Sequence, residues 1–220
     1  INTEDNFDVI RIKRSNNLPI RWIKTIYQIV KNGRRSDLIF VNGLGVESAI
    51  ANLILQKQLI RKIVGDPVWE RAYNKKRITE SFDDFQNNKH SFLIEVQKLL
   101  RNWSINSAEI VITPSDHLKS FVSGIGYSKK ILKINNGVNI TDINRANESK
   151  ADINLIIISR LVVQKNINIV IEAMKLLDNK NLKLSIIGEG GEFSKLESTI
   201  HDLNLQNQVQ LLGKIDNNKI

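Results

Sequence analysis

Cysteine is absent from the sequence, and proline and methionine are scarce, with three residues and one residue. Without cysteine the chain forms no disulfide and no cysteine-ligated metal centre. The three histidines, His90, His117 and His201, have none of the spacings that metal-binding motifs use. We therefore expect no metal site in this chain.

Long apolar runs are also missing. No stretch reaches the roughly 18 apolar residues of a transmembrane helix, and the first five residues have none of the features of a signal peptide. The chain has 220 residues, of which 41% are hydrophobic, enough to bury a core in one large domain or two small ones. We expect a cytoplasmic protein and, since the sequence does not begin with methionine, an interior part of a longer gene product.

Positive charge is concentrated in the first part of the chain. Residues 1–150 hold 24 Lys and Arg against 15 Asp and Glu, whereas residues 151–220 hold 8 of each. The whole net charge of +9 therefore belongs to the first segment. Such a segment attracts nucleic acid, acidic lipid headgroups or a phosphorylated acceptor. An Asn-, Lys- and Ile-rich composition that reflects an AT-rich genome explains the excess equally well.

The most informative stretch is residues 153–165, with the sequence INLIIISRLVVQK. Its apolar run at residues 155–158 predicts a fully buried parallel strand, and Arg160 and Lys165 follow before an amphipathic helix. Ligands of open α/β sheets bind at the carboxyl ends of the strands. The arginine fork and the mobile lysine charge both suit a phosphate. On spacing alone, a solvated loop with two surface charges is equally consistent.

The order strand, Ser-Arg-Leu-x-x-x-Lys, helix resembles the donor-phosphate loop of the retaining glycosyltransferases of family 4, which have the GT-B fold. That loop usually reads Gly-Arg-Leu-x-x-x-Lys-Gly, and here Ser159 and Asn166 stand in place of the two glycines. The resemblance implies that Arg160 and Lys165 bind the diphosphate of a nucleotide sugar.

A glycine-rich turn follows the strand predicted at residues 182–188. It consists of Gly188, Glu189, Gly190 and Gly191. Such a turn before a helix can hold an anion against backbone amides, although glycines end many strands. The turn is similar to a loop that lies near the donor in the family, which implies a donor-loop role for these four residues.

The sequence GDPVWE at residues 65–70 follows another predicted strand and resembles a segment of some family members that lines the acceptor side of the cleft. The resemblance implies a catalytic role for Asp66 and acceptor-side roles for Trp69 and Glu70. From the residues alone, Asp66 is a helix N-cap before Pro67. Trp69 is either a core aromatic residue or a ring that stacks on a sugar.

Three local patterns predict secondary structure elsewhere. Alternation at residues 7–13 predicts a strand. Residues 91–103 predict an amphipathic helix, with Phe92, Val96, Leu99 and Leu100 on one face. Ser115 is the expected N-cap of a helix that follows Thr-Pro-Ser, a further point of resemblance to the family.

Two series of strand–helix units predict an α/β protein of the GT-B type, with two Rossmann-like domains. The boundary lies near Asn136-Gly137, which is similar to the family's Pro-Asn-Gly-Val-Asp linker. We predict an acceptor-side domain with a truncated start at residues 1–138, a linker at 139–152, and the first part of the donor domain at 153–220. The family's first strand and its later Glu-x7-Glu pair have no counterpart here. We therefore expect the second domain to be incomplete and the fragment alone to be inactive.

The resemblance implies a retaining glycosyltransferase of the hexosyltransferase type, working in surface polysaccharide or glycolipid synthesis. The expected partners are a nucleotide diphosphate sugar as donor substrate and a carbohydrate or lipid-linked acceptor. No cofactor and no metal are expected, since Arg160 and Lys165 neutralise the leaving diphosphate. The basic first segment adds a peripheral contact with the anionic inner face of a membrane, through Arg61, Lys62, Arg71 and residues 75–77.

Three alternatives remain open, of which one is a fragment without catalytic activity, which nucleotide binding would distinguish from an active enzyme. A nucleotide-sugar epimerase has the same fold and is distinguished by its products. A basic α/β protein without catalytic activity that binds nucleic acid would show a steep salt dependence of its affinity. The sequence lacks the interleaved aromatic and basic residues that such surfaces use, so we expect no nucleic acid as partner.

Overall fold

The computed structural model describes residues 9–13, 17–137 and 153–216. The chain divides into two compact units. The first consists of Ile1–Val68 and Asn87–Val138, and the second of Trp69–Gln86 and Asn139–Ile220. The predicted linker at 139–152 lies outside the described residues. Residues 69–86 group with the second unit, although in sequence they lie within the predicted acceptor-side domain.

The first unit contains a four-stranded parallel sheet with the strand order β1-β2-β3-β4. Its strands are β1 (Leu38–Asn42), β2 (Gln58–Lys62), β3 (Ile110–Thr113) and β4 (Lys130–Lys133). Val41, Leu59 and Val111 are buried. Val41 and Val111 are the partners of Arg61 on the two neighbouring strands. Leu59 lies two residues before Arg61 on β2, so all three buried residues lie on the same side of the sheet. This side carries the core of the first unit.

In the described part of the chain, six helices precede or connect these strands. They are α1 (Leu18–Gly33), α2 (Gly45–Leu55), α3 (Pro67–Asn74), α4 (Phe82–Asn87), α5 (Phe92–Asn106) and α6 (Asp116–Gly124). Ser115 is the N-cap of α6, where its hydroxyl accepts a hydrogen bond of 3.3 Å from the amide of Leu118. The strand predicted at residues 7–13 is wrong for residues 9–13, which pair with no strand of the described chain.

Helix α5 does not bury the apolar face that the sequence predicted; the opposite face of the helix packs against the interior. Phe92 is 85% exposed and Leu99 is 68% exposed, whereas Ile94 and Ile105 are buried. Lys98 and Arg101 would be expected at the surface, yet both are buried beside them. This orientation gives each of the two cations a hydrogen-bond acceptor, since Lys98 donates to the carbonyl of Asn88 and Arg101 to the carboxylate of Asp66.

The second unit contains a three-stranded parallel sheet with the order β5-β6-β7. Its strands are β5 (Ile153–Ile158), β6 (Leu182–Ile187) and β7 (Val209–Gly213). A 3-10 turn (Val163–Lys165) and helix α7 (Ile167–Leu177) connect β5 to β6, and helix α8 (Phe193–Asp202) connects β6 to β7. The core joins both helices to the sheet through the buried residues Leu161, Ile167, Ile171, Met174, Leu182, Leu184, Ile186, Leu196, Ile200, Leu205 and Val209.

The predicted strand at residues 155–158 forms and is parallel, but the expected full burial is wrong. Ile156 is 58% exposed and Ile158 is 54% exposed. β5 lies at the edge of its sheet, where β6 is its only neighbour among the described strands. Only Ile157 of this strand packs against the core formed with the helices. Within the described ranges, no helix is both long and apolar enough to cross a membrane.

Candidate functional site

Arg160 and Lys165 lie in the short connection between β5 and α7. The connection is fixed by Leu161, whose side chain is completely buried in the core of the second unit. Both cationic side chains are exposed to solvent. Neither side chain takes part in a hydrogen bond or an ion pair with the residues that the structure describes. They are therefore available to a ligand at the carboxyl end of β5.

At position 166, where the loop that this sequence resembles usually has glycine, asparagine adopts a left-handed backbone. Asn166 has φ 48° and ψ 35°, in the left-handed region. Its amide donates a hydrogen bond of 3.1 Å to the carbonyl of Val163, which closes the 3-10 turn. Asparagine is among the few residues other than glycine that adopt this conformation readily. The end of the turn that follows Lys165 is thus defined by Asn166.

The glycine-rich turn lies directly against the connection that carries Arg160. The amide of Ser159 donates to the carbonyl of Ile187, and the amide of Leu161 donates to that of Glu189, each at 3.0 Å. In return, the amide of Glu192 donates to the carbonyl of Leu161 at 3.0 Å. These three hydrogen bonds hold the two loops together as one backbone structure, which we call the paired loops (residues 159–166 and 188–192).

Two glycines make this close approach feasible. A Cβ atom at Gly188 would overlap the carbonyl oxygen of Ser159, and one at Gly190 would overlap that of Leu161. Gly188 also has φ 146°, which side chains disfavour. A Cβ atom at Gly191 would meet open space. Gly188 and Gly190 therefore serve the packing of the loops, and the amide of Gly188 itself donates to the carbonyl of Gly213 at 2.8 Å.

The paired loops carry two cations, Arg160 and Lys165, and two carboxylates, of which Glu189 lies 3.9 Å from Nζ of Lys214 and Glu192 lies 3.6 Å from Nζ of Lys76. Helices α7 and α8 both begin there, since each follows the carboxyl end of its strand. Their first-turn amides and dipoles favour negative charge at this edge. Arg160 adds a planar fork that binds two phosphate oxygens, and Lys165 adds a mobile charge. The arrangement can hold a compact, multiply charged anion such as a diphosphate.

Asp66 is in the interior of the first unit, with 1% of its surface exposed. Its Oδ1 accepts a hydrogen bond of 2.9 Å from the amide of Val68 at the start of α3, as the predicted N-cap would. Its Oδ2 forms an ion pair with Nη1 of Arg101 on α5. Burial lowers the pKa of Arg101, and the neighbouring Asp66 carboxylate opposes that effect. The geometry gives Asp66 a structural function, so its catalytic role stays a prediction without structural support.

Trp69 is half-buried in a small aromatic cluster of the second unit. Its ring centroid lies 5.1 Å from that of Tyr73 and 5.6 Å from that of Phe82. Its indole N–H donates to the carbonyl of Glu80 at 3.2 Å. These contacts match the core-aromatic interpretation. Glu70 is also half-exposed, and both acceptor-side roles stay predictions.

Arg61 does not belong to the surface charge cluster in which the sequence placed it. It is 7% exposed, and its Nη1 donates to the hydroxyl of Ser104 at 2.7 Å. Burial lowers its pKa to about 10, so it remains charged at neutral pH. A Cβ at Gly45 would overlap the guanidinium, so Arg61 would have to shift to admit a side chain there. Arg71, Lys75, Lys76 and Arg77 are exposed.

Sequence reasoning missed a residue that contacts Asp66 and another that contacts the turn carrying Lys165. Arg101 is the buried partner of Asp66. Asn74, at the end of α3, accepts a hydrogen bond of 3.1 Å from the amide of Gln164 in the 3-10 turn. An arginine in an amphipathic helix and an asparagine before a basic run are both typical of solvated surfaces. No local signal distinguishes them from such residues.

We expect Gly190→Ala to destabilise the paired loops. Its Cβ would meet backbone rather than a flexible side chain, so a backbone shift is required, and we expect a loss of about 1–3 kcal/mol in the free energy of unfolding. Gly191→Ala is the matched control, with an expected change within about 0.5 kcal/mol. Urea unfolding of the full-length protein measures both. Equal effects of the two substitutions would contradict the close packing at Gly190.

We expect Asp66→Ala to cost about 3–5 kcal/mol of folding stability, because the Arg101 guanidinium would be left buried without its counter-ion. The exposed Asp37 provides the control, and Asp37→Ala should change stability by less than about 0.5 kcal/mol. Urea unfolding and activity are measured on the same samples. A stably folded Asp66→Ala protein that has lost activity would instead support the catalytic role.

The C-terminal part of the sequence matches a known family. Residues 139–220 match the family model described as "Glycosyl transferases group 1". No curated protein matches the sequence. The family match covers the predicted phosphate loop and the glycine-rich turn.

Solved structures resemble the chain over most of its length. Anabaena HepE in complex with UDP and glucose is 20% identical, with a TM-score of 0.64 over 87% of this chain and 51% of that protein. A point mutant of Staphylococcus aureus TarM, in complex with fondaparinux, alpha-GlcNAc-glycerol and UDP, is 21% identical, with a TM-score of 0.63 over 89% of this chain and 37% of that protein. A putative UDP-N-acetylglucosamine 2-epimerase from Listeria monocytogenes is 15% identical, with a TM-score of 0.57 over 94% of this chain and 55% of that protein.

The chain therefore spans about half the length of HepE and little more than a third of TarM. At these identities the likeness concerns the fold, and it confirms the predicted α/β fold with parallel sheets of the GT-B type. Residues 139–220 match the group 1 glycosyl transferases, and the chain as a whole has the fold of these structures.

Proposed function

We propose that the protein is a retaining glycosyltransferase of family 4 that moves a sugar from a nucleotide diphosphate sugar to an acceptor hydroxyl. The observation that carries the proposal is the edge formed by the paired loops. There two exposed cations, Arg160 and Lys165, lie within the segment that matches the group 1 glycosyl transferases. The retaining outcome and family 4 follow from the motif resemblance.

The proposed chemistry depends on neutralising the leaving group. As the bond between the sugar and the diphosphate breaks, negative charge grows on the diphosphate oxygens. Arg160 would bind two of these oxygens, and Lys165 would follow the developing charge. Amides at the starts of α7 and α8 would add fixed dipoles. A preorganised donor of this kind typically lowers the barrier by about 2.7–4 kcal/mol, and the scheme uses no metal.

The substrates are proposed at the level of chemical class. HepE and TarM were both solved with UDP, so uridine diphosphate is the first nucleotide to test. The acceptor is a carbohydrate or a lipid-linked carbohydrate, as expected for synthesis of a surface polysaccharide or glycolipid. On the acceptor side we retain Trp69 and Glu70 as candidates, and Asp66 as the residue that fixes the start of α3 beside them.

A nucleotide-sugar epimerase is the second candidate, because a putative UDP-N-acetylglucosamine 2-epimerase shares the fold. The phosphate contacts would be the same in both reactions, so mutants of the paired loops do not separate them. Product analysis with a UDP-sugar alone does. An epimerase interconverts two UDP-sugars without an acceptor, whereas a transferase releases UDP only when a sugar acceptor or water takes the sugar.

We expect Arg160→Ala in the full-length protein to weaken UDP binding and to slow transfer about 100- to 1,000-fold, the usual effect of removing one such donor. Arg160→Lys should recover only part of the activity, since the ammonium lacks the bidentate fork. Calorimetry measures UDP binding and UDP release measures turnover.

The matched control is Arg35→Ala, which removes an exposed arginine from the turn before β1. It should leave both UDP affinity and turnover unchanged. Unchanged turnover in Arg160→Ala would reject the phosphate-binding assignment.

A peripheral membrane contact is a further part of the proposal. Arg71, Lys75 and Arg77 are exposed close together in sequence, and each lysine or arginine near an anionic leaflet contributes about 1 kcal/mol. We expect full-length protein to sediment with vesicles containing phosphatidylglycerol, to be released by moderate salt, and to lose binding when these three residues are neutralised. Equal recovery with neutral and anionic vesicles would reject the contact.

A further inference from the structure

Residues 69–86 form a compact piece of the second unit, which we call the 69–86 segment. It contains most of α3 and α4, and the cluster of Trp69, Tyr73 and Phe82 closes it on itself. The hydrogen bond from the Trp69 indole to the carbonyl of Glu80 joins its two halves. The segment is thus built to hold a defined shape between α3 and α4.

The 69–86 segment contacts both of the paired loops. The side-chain oxygen of Asn74 accepts the hydrogen bond of 3.1 Å from the amide of Gln164, in the middle of the 3-10 turn. On the other loop, Nζ of Lys76 lies 3.6 Å from the Glu192 carboxylate. The Glu192 amide in turn donates to the carbonyl of Leu161.

The hydrogen bond from Gln164 satisfies a backbone group that the turn itself leaves open. First-turn amides of a helix have no partner within the helix, and the side chain of a nearby residue commonly accepts from them. Here the acceptor comes from a residue 90 positions away in sequence. Gln164 is half-buried, so water replaces this bond less easily than at an exposed site.

Lys165 is the predicted phosphate ligand nearest in sequence to this hydrogen bond. Its backbone follows Gln164 directly, and its side chain is exposed. A lysine ammonium at the end of four rotatable bonds binds a phosphate well only if the backbone that carries it is fixed. The Asn74 bond fixes that backbone on one side, and the Asn166 turn fixes it on the other.

We propose that Asn74 is a positioning residue of the donor site, which holds the 3-10 turn so that Lys165 meets the diphosphate. The inference rests on the proposed function and adds to it a residue from the 69–86 segment. The pair of Lys76 and Glu192 contributes little, because the Lys76 side chain is 60% exposed and such pairs are weak. The same segment carries Trp69 and Glu70, so Asn74 joins the two acceptor-side candidates to the paired loops.

The test measures UDP binding to the full-length protein by calorimetry, with Asn74→Leu as the variant. Leucine has a similar size and no acceptor oxygen. Loss of one hydrogen bond predicts a UDP affinity about 2- to 12-fold weaker. Affinity for uridine, which has no phosphate, should not change. Lys76→Ala is the matched control from the same segment, and it should weaken UDP binding by no more than about 2-fold.

A double-mutant cycle separates positioning of Lys165 from a general structural effect. If Asn74 acts through Lys165, Asn74→Leu should have no further effect on UDP affinity in a Lys165→Ala background. The same fold-loss in both backgrounds would overturn the inference, as would unchanged UDP affinity in Asn74→Leu alone. A loss of uridine affinity equal to that of UDP would also overturn it.

The cycle also distinguishes failure of this inference from failure of the proposed function. If Lys165→Ala itself leaves UDP affinity unchanged, the phosphate site is wrong, and the role of Asn74 falls with it. If Lys165→Ala weakens UDP binding while Asn74→Leu does not, only the positioning role is overturned.

Asn74→Asp retains an acceptor oxygen, so it should keep the uridine affinity and the urea unfolding midpoint of the wild type. A shift in either would overturn the inference.

Discussion

The backbone contact between the paired loops is the constraint on which the candidate site depends. Three hydrogen bonds join residues 159–161 to residues 187–192, and they form only because Gly188 and Gly190 carry no side chain. Leu161, between the two cations in sequence, is buried in the core and ties this backbone to helices α7 and α8. The two cations therefore project from a connection that is fixed by packing and by hydrogen bonds. A site for a diphosphate requires such preorganisation, because charges that must first be ordered lose much of their effect.

Buried charged groups in the first unit are likewise fixed by specific partners. The ion pair of Asp66 and Arg101 and the hydrogen bond of Arg61 to Ser104 lie in the interior. Buried charges are costly without partners, so each one fixes the element that carries it. Arg101 and Lys98 both belong to α5, and Lys98 donates to the carbonyl of Asn88 at 2.8 Å. These bonds explain why α5 turns its polar residues inward and leaves Phe92 and Leu99 exposed.

The sequence was sufficient to predict the parts of the fold that depend on local chemistry. The run at residues 155–158 followed by Ser-Arg-Leu predicted a strand and its exit loop, and Ser115 predicted a helix start. Neither the exposure of β5 nor the orientation of α5 could be predicted, since both depend on which neighbours cover an element. The same holds for Asp66, whose partner is 35 positions away, and for Asn74, whose partner is 90 positions away. A motif indicates that a residue lies at the carboxyl end of a strand, but long-range contacts decide whether it faces solvent or the interior.

Hydrogen–deuterium exchange of the full-length protein, with and without UDP, tests the central claim most directly, namely that the paired loops bind the donor diphosphate. Amide exchange reports each backbone segment separately, and it needs neither an acceptor nor turnover. The account predicts that UDP slows exchange at residues 159–166 and 188–192, and that uridine does so much less, because it lacks the diphosphate. Slowed exchange confined to other segments, or equal effects of UDP and uridine on the paired loops, would contradict it.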